Sequence, residues 1–246
     1  MRNHISYRSG NPALQSSTFN KDKNVGSETM TLEGTINKVS LSLLVLMCTA
    51  MYTWNNPSYP IMIFGAIGGL CVALVTIFKK HLATYTTLIY AALEGLFLGG
   101  ISQYYAQQFE GIVGQAIFLT FAIFIALLFA YKTKLIAPTE NFKLGIFAAT
   151  AGIGVLYFVS FVMSFFGSGL PIMSPTNSSL FSIGFSVFVV AIAALNLVLD
   201  FDFIEEGAEN GAPKYMEWYG AFGLLITLVW LYLEILKLLA KLQSRR

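Results

Sequence analysis

Charge is what this 246-residue chain has least of. Its 15 Lys and Arg and 13 Asp and Glu make up 11% of the residues, against 56% hydrophobic. A soluble domain carries roughly 25% charged residues. So few charges could not cover the apolar surface of a chain with 21 Phe and 12 Tyr, which excludes a water-soluble globule. With only Cys48 and Cys71, a disulfide-rich scaffold is excluded as well. Both cysteines lie in apolar runs and read as small buried hydrophobes. His4 and His81 alone supply no zinc ligand set, and seven prolines rule out collagen-like or proline-rich low complexity. Motifs of catalysis are missing too: no His-Glu-x-x-His, no Gly-x-Gly-Asp of an intramembrane aspartyl protease and no phosphate-binding glycine loop. An enzyme is therefore not expected, nor a bound cofactor. The scattered basic residues of the first stretch make no nucleic-acid site. That stretch has no apolar core of its own, so a signal peptide is not expected either.

What is present is long apolar runs. Seven are legible, at about 37–54, 61–78, 82–102, 112–131, 144–166, 180–202 and 215–240. Most approach the roughly 20 residues that a helix needs to cross a bilayer. Between them lie turn signals such as Asn55-Asn56-Pro57 and Asn210-Gly211-Ala212-Pro213. The runs do not alternate polar and apolar, which argues against a β-barrel. The fold class is all-α: a polytopic membrane protein with a seven-helix transmembrane bundle over residues 36–242. Residues 1–35 are polar and rich in Ser, Asn, Gly and Thr, and read as a disordered cytoplasmic tail; residues 243–246 form a basic end.

Basic residues orient the bundle. With the N-terminal tail in the cytoplasm, that side holds Arg2, Arg8, Lys21, Lys23, Lys38, Lys79, Lys80, Lys132, Lys134, Lys143 and Lys214. The three opposite loops, 55–60, 103–111 and 167–179, hold no Lys or Arg. The C-terminus disagrees, because seven crossings put Lys237, Lys241, Arg245 and Arg246 outside. Either the last helix crosses against the rule or it dips in and returns; the full crossing is the expectation here. Gly65/Gly69 and Gly95/Gly99, at four-residue spacing, are suited to close helix packing.

Carboxylates inside apolar runs are the functional candidates, because an ionised one at membrane depth costs a few kcal/mol. Glu94 lies in the middle of the third run, Asp200 and Asp202 at the end of the sixth, and Glu234 within the seventh, with Glu217 near its start. Four have a plainer reading. Asp200 and Asp202 would mark the cytoplasmic end of a helix, Glu234 would pair with Lys237 or Lys241, and Glu94 would hydrogen-bond a neighbouring helix as a neutral acid. Glu205, Glu206 and Glu209 read as a solvated loop face. Two carboxyl groups in contact would titrate as a unit and, when ionised, offer hard oxygens to a cation such as Ca²⁺.

Three segments resemble the Bax inhibitor family of membrane proteins (transmembrane Bax inhibitor motif), and within it the bacterial YccA-like branch. Glu94-Gly-Leu-Phe-Leu-Gly-Gly resembles the family's Gly-Leu-x-Leu-Gly-Pro stretch. Leu199-Asp200, followed by Phe-Asp-Phe-Ile, falls where the family has Tyr-Asp-Thr-Gln. Leu231-Tyr-Leu-Glu234-Ile-Leu-Lys-Leu-Leu is similar to the family's Leu-Tyr-Leu-Asp-Ile-x-Asn-Leu-Phe. The resemblance implies a seven-helix bundle with the last helix packed among the other six. It implies a pH-regulated Ca²⁺ leak in which Asp200 and Glu234 form the sensing and ion-binding pair, with Asp202, Glu94 and Glu217 as secondary candidates. For bacterial members it also implies binding to a membrane-anchored AAA protease, which leaves a non-enzymatic regulator as a second reading. A proton-coupled transporter is a third. The bacterial cytoplasmic (inner) membrane is the expected location. This chain departs from the family in having Glu at the second acidic position, Gly100 in place of Pro and Leu199 in place of Tyr. Glu234 also lies about 20 residues beyond Lys214, roughly 30 Å along a straight helix. A direct pair therefore needs a deeper Asp200, a non-spanning start to the last segment, a helix shift, or Glu217 as the partner.

Overall fold

The computed structural model describes residues 28–167 and 169–245, and most of the polar tail lies outside this range. Seven helices are long and apolar enough to cross a membrane: α1 (Leu32–Asn55), α2 (Tyr59–Phe78), α3 (Ala83–Gln108), α4 (Ile112–Lys132), α5 (Glu140–Ser164), α6 (Leu180–Glu209) and α7 (Met216–Gln243). Each expected run became a helix, with ends extended where a cap or turn decides. Thr31 caps α1, its hydroxyl accepting from the Gly34 N–H, so the helix begins five residues before the apolar run. Helix α6 continues seven residues past Asp202 and stops where Gly211 takes a positive φ of 65°. Glu205, Glu206 and Glu209 are therefore helical and not a loop, and Glu205 accepts a hydrogen bond from Tyr131 of α4.

Side-chain contacts fix the order of the ends. The starts of α1 and α7 meet through Lys38 and Glu217, and the ends of α4 and α6 through Tyr131 and Glu205. The start of α5 joins that same near end through Lys143 and Asp202. At the far end, Lys241 of α7 reaches the α5–α6 connection and the start of α6. Helix α7 thus runs the full length of the bundle, and a dip-and-return is overturned. It packs against α1, α3, α4 and α6 and is largely buried, whereas α2 leans chiefly on α3 and α5 on α6.

Small residues permit the closest approaches. A Cβ on Gly95 or Gly99 would overlap Leu46, Thr49, Ala50 and Thr53 of α1, and one on Gly65 would press on the α3 backbone at Leu93 and Phe97. Both glycine pairs therefore sit in helix–helix contacts. Cys48 and Cys71 are free and exposed on the outer face, where lipid rather than protein would surround them; the expectation of burial fails. The last residues of the polar stretch are also built in. Thr29 pairs with Pro213, the Met30 N–H donates to the Ala212 carbonyl (2.7 Å), and Met30 is buried. A loose tail reaching to residue 35 does not describe them; residues 1–27 lie outside the described residues.

Candidate functional site

Helices α6 and α7 carry four of the five candidate carboxylates. Asp200 stands on α6, nine residues before its end, and is fully buried. Thr227 of α7 lies beside it, but that hydroxyl donates to the Gly223 carbonyl (3.3 Å), and both Asp200 oxygens are left without a hydrogen-bond partner. An orphaned, sealed carboxyl group is rare, since unpaired buried polar groups cost roughly 1–3 kcal/mol each.

Glu234 is not its partner. It lies seven residues beyond Thr227, about 10 Å along α7, and its own bonds go elsewhere. The Tyr157 hydroxyl of α5 donates to Glu234 Oε1 (2.6 Å), and Lys237 Nζ sits 2.9 Å from the same oxygen. Lys237 also lies over the Tyr157 ring, 4.9 Å from its centre. The local pairing wins because a lysine one turn away compensates the charge without moving a helix. The sensing and ligand pair drawn from the family motif is therefore not formed in this structure. Among the described residues no three His, Cys, Asp or Glu side chains converge as metal ligands.

Glu217 is not Asp200's partner either. Fully buried at the start of α7, it accepts from the Thr31 N–H and the Thr31 hydroxyl (both 2.9 Å), and pairs with Lys38 (2.8 Å) and Lys214 (3.1 Å). Asp202 pairs with Lys143 of α5 at 2.5 Å, so it does more than mark a helix end. Glu94 on α3 faces Gly69 of α2, whose missing side chain leaves its room, with Tyr90 one turn back on its own helix.

Lys241 is the feature that sequence reasoning missed. Expected in the C-terminal basic cluster or as a partner of Glu234, it is instead 2% exposed, with Nζ bonded to the Ile172 carbonyl (2.6 Å), Ser186 Oγ (2.8 Å) and the Ser182 carbonyl (3.3 Å). The signal was available: Lys241, Glu234 and Thr227 recur at seven-residue steps, which keeps them on one face of α7. With the Lys237–Glu234 pair, two of the basic side chains near the end of α7 are enclosed or compensated by the bundle.

A cavity of about 660 Å³ opens between α1 and α4, with α3 and α7 behind it. Residues such as Leu46, Trp54, Phe121 and Leu228 line it, and no charged side chain does, so it offers a cation nothing. At its floor Ser102 and Tyr232 satisfy each other at 2.6 Å.

Comparison with curated proteins returns no match. The family model described as Bax inhibitor 1 like matches residues 11–244, nearly the whole chain. With seven apolar helices, of which α1, α3, α4 and α6 pack against α7, this chain belongs to the Bax inhibitor family of integral membrane proteins.

Proposed function

We propose that this protein is a proton-regulated cation leak, with Ca²⁺ as the cation and Asp200 as the gating group. The observation that carries the reading is the Asp200 side chain: fully buried, on the helix pair α6–α7, with neither oxygen bonded. An ionised carboxylate sealed there without a partner would cost several kcal/mol. The neutral acid fits the packing as it stands. Once ionised, it must draw in water or a cation, which parts α6 from α7. Glu234 then serves as an anchor of α5 to α7 and not as half of the sensor. The concentration of Lys and Arg at the near end supports placing that end in the cytoplasm.

The test is Ca²⁺ uptake by proteoliposomes loaded with a fluorescent indicator, followed from acidic to alkaline pH. Wild-type flux should fall on acidification. Asp200→Asn, which mimics the neutral acid, should hold the low-flux state at every pH, while Glu234→Gln should keep the pH dependence. A folded Asp200→Asn protein with an unaltered pH profile would remove Asp200 from the gate. No flux from the folded wild type at any pH would remove the leak itself.

A further inference from the structure

The Lys241 ammonium sits in a coordination site. A protonated lysine has three N–H donors and no acceptor. Here three oxygens surround Nζ: two backbone carbonyls, from Ile172 and Ser182, and the Ser186 hydroxyl. Ser182 Oγ, which donates to the same Ile172 carbonyl (3.1 Å), fixes that carbonyl in place. Among the described residues no carboxylate forms an ion pair with Lys241. Neutral oxygens alone hold a cation that is 2% exposed. Burying an unpaired charge is costly, and an arrangement that meets every donor is how a cation is kept in such a place.

The position adds a second observation. Ser182, Ser186 and Asp200 fall on one face of α6, and Lys241, Glu234 and Thr227 on one face of α7. Lys241 therefore sits at the far end of the α6–α7 seam, about 27 Å along α6 from the orphaned carboxyl group of Asp200.

We propose that the far end of this seam is a binding site for a primary ammonium, filled in this structure by the chain's own Lys241 as a tethered plug. The donor set decides the class. Three neutral oxygens at 2.6–3.3 Å match an ammonium with three N–H groups. They are too few, and in part too distant, for Ca²⁺, which takes six to eight oxygens at about 2.3–2.6 Å. The site stands on its own geometry; its role as a plug rests on the leak reading above.

Removing the side chain and returning the cation tests both parts. Lys241→Ala removes the three Nζ hydrogen bonds and leaves the space of the ammonium empty, and should lower the melting temperature of the purified protein. Methylammonium chloride should recover most of that loss. Tetramethylammonium chloride at equal ionic strength, with no N–H to donate, should recover none. Equal effects of the two salts on the folded variant, or no effect of methylammonium, would overturn the site. Should Lys241→Ala fail to fold, Ser186→Thr and Ser186→Val decide. They have the same shape, but only Thr keeps the ligand oxygen, so Thr should match the wild type and Val should fall below it; equal melting would overturn the site. In proteoliposomes, Lys241→Ala should conduct several-fold more cation than the wild type and be blocked by methylammonium. If it conducts no more than a conducting wild type, the plug is wrong. If both are silent while methylammonium still restores stability, the leak reading fails and the cation site stands.

Discussion

Glu217 and Asp200 are both carboxylates with no exposed surface, and their surroundings are opposite. Glu217, at the near end, is held by two lysines and by the backbone and hydroxyl of Thr31. Asp200, deeper on α6, has no bond at either oxygen. Burial alone therefore says little about a carboxylate's role. A group whose charge is met on every side fixes the fold, because any departure strands several partners at once. A group that meets nothing can change its protonation without breaking a bond, which suits a switch.

The comparison breaks most visibly at Glu217. Glu217→Ala strands Lys38, Lys214 and the Thr31 N–H together, and should cost about 3–5 kcal/mol, as other buried pairs do when one partner is removed. Reversible unfolding in detergent measures the loss. Hydrogen exchange should place it in residues 28–40, which the carboxylate ties to α7. A loss below about 1 kcal/mol would show that the lysines find water instead.

The same joint can be broken without touching a charge. Gly34 packs so closely on Glu217 that a Cβ there would overlap the carboxyl group. Gly34→Ala should therefore cost about 1–3 kcal/mol, the usual range for overpacking, although alanine favours the helix more than glycine does. A stabilised Gly34→Ala would mean that α1 does not lie this close to α7.

Asp200 should show the contrary response. Replacing it with Leu removes an unsatisfied group instead of a bonded one, so stability should stay level or rise by about 1 kcal/mol, while Asn exchanges one unbonded polar group for another and should leave it level. Two-state melting of the variants beside Glu217→Ala gives the contrast directly. A large loss at Asp200→Leu would show that the carboxyl group has partners that the packing conceals.

The sequence made some of this legible and hid the rest for physical reasons. Seven crossings could be read because apolar length is a property of a contiguous segment. The carboxylates stood out because charge is rare inside such runs. Their partners did not stand out, since Thr31 meets Glu217 across 186 positions and Tyr157 meets Glu234 across 77. The Lys237–Glu234 pair was visible in advance, being one turn apart on one helix. Motif similarity suggested that Asp200 and Glu234 meet, but the rise of α7 from Thr227 to Glu234 keeps them apart. Depth arithmetic along the helix was the better guide there.

The smallest expected effect sharpens the comparison furthest, because it concerns a neighbour of Asp200. Asp202 lies two positions on, but its Lys143 partner is held on the side of α5, and both side chains are partly exposed. Water and local rearrangement can replace such a pair, so Lys143→Met should cost no more than about 1 kcal/mol. Its value lies in the flux assay. If Asp200 alone gates, stripping Asp202 of its lysine leaves the pH profile where it was. If the midpoint moves with Lys143→Met as it does with Asp200→Asn, the gate is shared along the last turns of α6, and the contrast between a bonded and an unbonded carboxylate no longer separates scaffold from switch.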